Sequence, residues 1–257
     1  MADCHNLSSA IELVMTTPRC QERQDDDEGC ERGARPRSMG GRIKLGTGHC
    51  GAQGGGREGV RRAASPDISC LADDVAALNR SLDRTEGPIV LAGHAYAGAV
   101  IALARPERVK ALVYVTALAP DEGEKVADVF YRLEPHPQAP KLAPDNNGLI
   151  WLPEAAFATA FAQHASAEER AVLCAVQRPI SLACIAVPVG RPLWKDIPSW
   201  FLVAEDDRMI VPETQRYMAE RMTAKTKVHA VDHTPSVTAP RVVVDIIRDA
   251  MRSVTGK

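Results

Sequence analysis

The residues of this sequence that could carry chemistry follow the ends of three predicted strands. Ala95 lies in the string Gly93-His94-Ala95-Tyr96-Ala97-Gly98, between a strand and a helix, while Asp207 and His233 follow two later strands. A strand-to-helix turn of the form G-x-S-x-G presents a serine nucleophile, and an acid and a histidine later in the chain complete the triad. This chain has the order of such a triad, with alanine in place of the serine.

The order of these residues is more informative than any one of them. A single histidine after a strand is more often structural or solvent-facing than catalytic, and the string around Ala95 also fits an ordinary strand-to-helix turn. An acid at the end of the preceding strand, Asp207, favours general-base chemistry by His233. Together the three positions therefore indicate a nucleophile-acid-base site that lacks its attacking oxygen.

Short apolar strands that alternate with helices must position these residues. We predict strands near 88–92, 111–117, 199–204 and 227–231, with helical patterns between and after them. Continuous apolar strands alternating with helices are typical of an α/β protein, with a mostly parallel sheet covered by helices on both faces. Pro-rich turns and amphipathic stretches interrupt the alternation, which predicts a helical cap insertion at about 121–195.

Composition sets limits on the partners of the chain. Its 257 residues are 45% apolar and 25% charged, as in a globular protein. A formal charge of −2 gives no electrostatic footprint for nucleic acid or an anionic membrane. No apolar run is long enough to span a membrane and no signal peptide is evident, so we expect a cytoplasmic protein. None of the seven cysteines forms a C-x-x-C pair, and we expect neither metal nor cofactor.

From about residue 70 to the C terminus, the chain resembles small bacterial α/β-hydrolases related to plant methylesterases and hydroxynitrile lyases. The resemblance is carried by the stretches SCLADDVAAL, PIVLAGHAYAGAVI, ALVYVTALAPDEGE, AVQRPI, PSWFLVAEDDRMIVPETQRYMAER and VDHTPSVTAP. It implies the α/β-hydrolase fold for residues 70–257 and the hydrolysis of carboxylic esters. A small apolar, ester-like ligand is the partner it implies.

The resemblance also assigns roles to particular positions. Asp207 becomes the triad acid, His233 the base, and the backbone N–H of Tyr96 one oxyanion donor. Where the family has GHSYGG, this chain has alanine at two positions. Ala95 removes the attacking oxygen, and Ala97 puts a methyl group where the elbow is expected to have none.

Residues 1–69 have a different composition from the rest. No aromatic residue occurs before Tyr96, and 11 of the 18 glycines lie between Gly29 and Gly59. The segment shows neither strand nor helix periodicity. We therefore expect it to be irregular or disordered, without stable strands before about residue 65.

A shifted reading frame is the favoured explanation of this segment. The resemblance implies a strand ending in His-Gly, whose loop supplies a second oxyanion donor, yet no His-Gly occurs before residue 70. The codons of residues 35–46, read one base later, can give Val-His-Gly-Ala-Trp-Ala-Asp-Gly-Ser-Ser-Trp, the oxyanion-loop sequence of such hydrolases. A genuine Gly/Arg-rich extension is the alternative.

Several functions stay open at this point. The first is an ester hydrolase that Ala95 leaves inactive or impaired. The second is general-base chemistry by an Asp207–His233 dyad without a nucleophile. The third is a non-enzymatic pseudoenzyme that binds a small ligand under the cap, and the fourth is a damaged product without function. Four cap aromatics either line such a pocket or pack the cap onto the core: Trp151, Phe157, Phe161 and Trp194.

Overall fold

The computed structural model describes residues 13–16, as backbone, and residues 70–255. Its main sheet has five strands in the order β1-β2-β3-β6-β7. The last four of these pair in parallel, which confirms the predicted α/β architecture. The strands of this sheet are β1 (Leu13–Thr16), β2 (Ile89–His94), β3 (Val109–Val115), β6 (Ser199–Ala204) and β7 (Lys225–His229).

The last strand differs from its prediction. It begins at Lys225 rather than at residue 227 and ends at His229 rather than at residue 231. It is also an edge strand whose side chains are largely exposed, whereas a buried strand was expected. Val231, the last residue of the predicted strand, is buried in the loop that follows.

A strand in the N-terminal segment corrects a further expectation. Leu13–Thr16 pairs antiparallel with β2, although no strand was predicted before about residue 65. Without this pairing β2 would have an edge of unpaired backbone groups, with which the backbone of an extended segment can pair. The remaining residues of the segment 1–69, and the predictions made for them, lie outside the described part of the chain.

Helices cover both faces of the sheet. One face packs against α1 (Leu71–Asp83), α2 (Ala97–Ala102) and α7 (Pro212–Arg221), and the other against α9 (Pro240–Thr255). Alternate strand residues enter the two cores: Leu91 and Phe201 join the first cluster, while Val90 and Leu202 join the second. The alternation follows from the two-residue period of a strand.

The segment between β3 and β6, called the cap below, consists of short elements. Its elements are α3 (Val126–Phe130), β4 (Leu149–Ile150), α4 (Glu154–Ala156), a π-helix (Phe157–Phe161), α5 (Ala167–Val176), β5 (Ile180–Ser181), α6 (Leu182–Ile185) and a 3₁₀ turn (Leu193–Lys195). β4 and β5 form a small antiparallel sheet. A short helix α8 (Pro235–Thr238) lies between β7 and α9. Within residues 13–16 and 70–255, no helix is long and apolar enough to cross a membrane.

Candidate active site

Ala95 occupies the tip of the turn between β2 and α2. Its backbone has φ of +50°, which is uncommon for a residue with a side chain. Its carbonyl accepts hydrogen bonds from the N–H groups of Gly98 at 3.2 Å and Leu118 at 2.9 Å. A strained strand-to-helix turn is the geometry that presents a nucleophile above a parallel sheet, and here it presents a methyl group.

Two glycines make this turn sterically feasible. A Cβ added to Gly93 would lie 2.7 Å from the carbonyl oxygen of Ala97. A Cβ added to Gly98 would collide with the carbonyl oxygen of Leu118 and lie 2.9 Å from the Cβ of Ala117. Ala97 itself is fully buried as the first residue of α2. The methyl group of Ala97 is therefore accommodated in the core, while the close approaches are at Gly93 and Gly98.

Asp207 is a buried carboxylate that accepts four hydrogen bonds. Oδ1 accepts from the backbone N–H groups of Met209 at 2.8 Å and Ile210 at 2.9 Å. Oδ2 accepts from Nε2 of Gln215 at 2.8 Å, and it lies 2.8 Å from Nδ1 of His233. With its lone pairs occupied in this way, the carboxylate has a fixed orientation toward the histidine.

Gln215 is a residue of this candidate site that the sequence analysis missed. Its amide also donates to the carbonyl of Ile210 at 2.6 Å and accepts from the N–H of Ala204 at 3.0 Å. It is completely buried on the core face of α7. A polar residue at a core position of an amphipathic helix was the available signal, since buried amides need partners.

His233 lies in the loop after β7, buried and paired with Asp207. Because Nδ1 is used by Asp207, Nε2 is the nitrogen left for proton transfer. The ring of His94, directly before Ala95, has its centroid 4.8 Å from that of His233. The fold thus brings the predicted acid and base together and places them beside the elbow.

His94 and Thr116 both contact the main chain of His233. Nε2 of His94 donates to the His233 carbonyl at 2.6 Å, and the hydroxyl of Thr116 donates to the same oxygen at 3.1 Å. Burial, followed by the repulsion from His233, lowers the pKa of His94 to about 3. His94 is therefore neutral near pH 7, and a proton on Nε2 sets its tautomer because a carbonyl can only accept.

Tyr96 follows the elbow residue and connects it to α1. Its hydroxyl donates to Oδ2 of Asp74 at 2.8 Å, and burial raises the pKa of this tyrosine above its usual range. Its backbone N–H has no hydrogen-bond acceptor among residues 70–255. This N–H is the donor that the resemblance implies for an oxyanion.

Hydrogen bonds join the cap to the loop that contains His233. Asp232 accepts from the backbone N–H of His164 at 2.9 Å and from the hydroxyl of Thr238 at 2.6 Å. The hydroxyl of Thr234 donates to the carbonyl of Phe161 at 3.1 Å. The ring of Phe161 lies 5.3 Å from that of His233, measured between centroids. The end of the π-helix therefore forms an apolar wall beside the base.

The four cap aromatics fall into different environments. Phe161 contacts His233, and Phe157 packs edge-on against Phe161 with ring centroids 5.4 Å apart. Trp194 is buried and donates from Nε1 to the carbonyl of Pro120 at 3.3 Å, while Trp151 is half-buried. Trp194 thus packs the cap onto the core, whereas Phe161 forms part of the wall of the site. In the described ranges, no group of three or more His, Cys, Asp or Glu side chains could hold a metal ion.

Comparison with known proteins identifies relatives of this architecture. A family model described as "Alpha/beta hydrolase family" matches residues 42–246. The match begins closer to the N terminus than the resemblance seen from about residue 70. No curated protein sequence matches the chain significantly.

Similar solved structures share the fold at low sequence identity. Polyneuridine aldehyde esterase is 19% identical, with 71% of this chain and 80% of that chain covered and a TM-score of 0.58. A variant of a novel pyrethroid hydrolase is 20% identical, covering 74% and 81%, with a TM-score of 0.62. A histidine-to-alanine variant of tomato methylketone synthase I, complexed with β-ketoheptanoate, is 17% identical, covering 72% and 78%, with a TM-score of 0.55.

Proposed function

The chain belongs to the α/β hydrolase family, and on that premise we propose that it carries a carboxylesterase-type site whose ester hydrolysis is impaired. One observation carries the proposal. Ala95 has the strained φ of a nucleophile elbow beside a formed Asp207–His233 pair, yet its side chain is a methyl group. The site is assembled to bind and polarise a small ester, but it has no oxygen to attack the carbonyl.

The missing nucleophile sets the expected size of the effect. In the family mechanism the serine attacks an ester carbonyl, the histidine takes the serine proton, and the aspartate orients the histidine. Loss of a triad member costs roughly 10³ to 10⁶ in rate. The unmodified chain is therefore expected to hydrolyse p-nitrophenyl acetate only at trace rates.

Ala95→Ser tests this proposal directly. The serine returns a nucleophile to a turn that already has the required backbone, so hydrolysis of p-nitrophenyl acetate should rise above that of the unmodified chain. The double variant Ala95→Ser/His233→Ala is the matched control and should lose the gain. If the unmodified chain is as fast as Ala95→Ser, a group other than residue 95 is the nucleophile and the proposal is wrong.

The N-terminal segment is expected to limit the repaired enzyme. Losing one oxyanion donor costs about 10² to 10³ in rate, and the His-Gly loop that would supply it appears only in the shifted frame. We expect full activity from Ala95→Ser only when the reading frame between about codons 30 and 70 is also corrected. Full turnover by Ala95→Ser alone would show that the segment works as written, and sequencing the coding DNA across codons 30–75 checks the frame itself.

Proton transfer by the Asp207–His233 dyad is a second candidate. The dyad is formed although residue 95 has no nucleophile, and proton transfer needs none. The tomato methylketone synthase variant that holds β-ketoheptanoate suggests a β-keto acid as the substrate to try. Such a compound has a carbonyl of the kind that an oxyanion donor polarises.

Decarboxylation of a β-keto acid fits these groups. The bond between the α-carbon and the carboxylate breaks, CO₂ leaves, and the electron pair forms the enolate. His233, protonated at Nε2, gives its proton to the enolate oxygen, and the resulting enol becomes a methyl ketone when its carbon is protonated. The balance is one β-keto carboxylate and one proton giving one methyl ketone and CO₂.

CO₂ release from β-ketoheptanoate tests this second candidate. The unmodified chain should exceed the spontaneous rate, and His233→Ala should return it to that rate. Asp207→Asn should lower it too, because the imidazole then loses the carboxylate that orients it. Rates equal to the spontaneous one in all three proteins would exclude the dyad chemistry. Saturable binding of the acid without turnover would instead favour a non-enzymatic binder.

A further inference from the structure

The main-chain carbonyl of His233 is held by side chains from two other strands. It accepts the Nε2–H of His94 at 2.6 Å and the hydroxyl of Thr116 at 3.1 Å. All three residues are buried, so no solvent shields these contacts. A carbonyl has two lone pairs, and both are used here.

The two donors come from neighbouring strand ends in register. His94 is the last residue of β2 and pairs with Val115, the last residue of β3. Both strand ends contain a residue with left-handed backbone. Ala95, directly after His94, has φ of +50°, and Thr116 has φ of +45°. A left-handed β-branched residue is a genuine outlier, and such strain persists only where the surroundings hold it in place.

The protonation state of His94 suits a permanent donor. Burial keeps its pKa near 3, so the ring stays neutral over the range in which a protein is assayed. Its single proton is on Nε2 because the acceptor is a carbonyl. Thr116 is anchored as well, since its N–H donates to the carbonyl of Leu202 at 3.1 Å.

We propose that His94 and Thr116 are positioning residues that clamp the His233 carbonyl and so set where the base stands relative to the elbow. The inference rests on the proposed function, in which His233 is the base. His94 is covalently joined to residue 95, so the clamp ties the base loop to the turn that would hold the nucleophile. Neither residue needs to touch the substrate for this role.

Thr116→Val tests the clamp because it removes the hydroxyl and keeps the β-branched shape. In protein labelled with ¹⁵N-histidine, the proton on Nδ1 of His233 reports on the hydrogen bond to Asp207. Its exchange with solvent should become roughly threefold to tenfold faster in Thr116→Val, as expected for the loss of one net hydrogen bond. Thr116→Ser keeps the hydroxyl and should restore slow exchange.

Thr214→Val is the matched control. Thr214 is also fully buried, but its hydroxyl has no hydrogen-bond partner within the described ranges. Removing that hydroxyl should leave the His233 proton unchanged. The clamp is disproved if Thr116→Val exchanges like the unmodified protein, or if Thr214→Val accelerates exchange to the same extent.

A second variant covers the case in which Thr116→Val does not fold. His94→Phe keeps an aromatic ring and removes the other donor, so it should accelerate exchange by a similar factor. Unchanged exchange in a folded His94→Phe protein overturns the proposal. The parent proposal has a separate readout: if His233→Ala leaves both ester and β-keto acid turnover unaltered while Thr116→Val accelerates exchange, the clamp stands and the catalytic role of His233 falls.

Discussion

The acid–base side of the site and the elbow differ in what holds them together. Asp207 and His233 are fixed by side-chain hydrogen bonds from Gln215, His94 and Thr116. The elbow is fixed by its backbone and by the close approaches at Gly93 and Gly98, with little contribution from side-chain polarity. The acid–base side therefore depends on hydrogen bonds between polar atoms, whereas the elbow depends on the lack of a side chain at its two glycines.

This difference explains how the turn accommodates alanine at residue 95. The φ of +50° at Ala95 arises because β2 and α2 must meet within two residues, which a serine hydroxyl neither causes nor prevents. On the acid–base side, by contrast, each polar atom has a partner that would be left buried and unpaired. Substitutions on the acid–base side should therefore lower stability by leaving buried donors unpaired. Substitutions at the elbow should lower stability by adding volume.

The largest expected effect is on the acid–base side. Asp207→Ala leaves four donors without their acceptor in a buried place, and we expect the free energy of unfolding to fall by about 3 to 5 kcal/mol. Urea denaturation measures it. Asp206→Ala is the matched control. The side chain of Asp206 is 43% accessible and forms a long ion pair of 3.7 Å with His164, so its removal should cost less than about 0.5 kcal/mol. Equal losses in both variants would contradict the comparison.

Added volume tests the elbow. In Gly98→Ala the new Cβ would overlap the carbonyl oxygen of Leu118. This oxygen belongs to the backbone, so it cannot move away without shifting the chain around it. We expect a loss of about 1 to 3 kcal/mol, the usual cost of overpacking. Gly190→Ala is the control, since a Cβ there would have nothing within 4 Å. A Gly98→Ala protein as stable as Gly190→Ala would show that the turn does not depend on its glycine.

The pH dependence of stability examines His94, which joins the two sides. Its pKa is near 6.5 in an unfolded chain and about 3 in the fold, so the unfolded state binds more protons between these values. Stability from this group is complete above pH 6.5 and falls by up to about 1.4 kcal/mol per pH unit as the pH drops toward 3. His94→Phe should flatten the curve of unfolding free energy against pH. An unchanged curve in His94→Phe would count against a buried neutral His94.

The smallest effect is expected at Ala97. The resemblance suggests that a methyl group here opposes the elbow, yet the structure places it buried at the start of α2. Ala97→Gly should destabilise by about 0.5 to 1 kcal/mol through the flexibility of glycine in a helix. Thermal unfolding distinguishes the two views, because an increase in stability would mean that the methyl group is crowded.

Much of the acid–base side was predictable from the chain. Asp207 and His233 each follow an apolar strand, and their order along the sequence indicated a pair. Gln215 was missed although it lies only 8 positions from Asp207. Thr116 and His94 were not predicted as partners of His233, because 117 and 139 positions separate them from it. No local pattern encodes which carbonyl a distant hydroxyl will reach.

The sequence by itself determined the parallel strands, the candidate acid and base, and the absence of a hydroxyl at residue 95, because these depend on local hydrophobic periodicity and residue identity. Only the tertiary structure decided that β7 is an exposed edge strand, that Leu13–Thr16 pairs with β2, and that Phe161 rather than Trp194 stands beside His233. The physical reason is that strand position and cap placement follow from contacts between segments far apart in the chain. Such contacts are selected by burial and hydrogen bonding in the assembled fold, and the order of residues does not specify them.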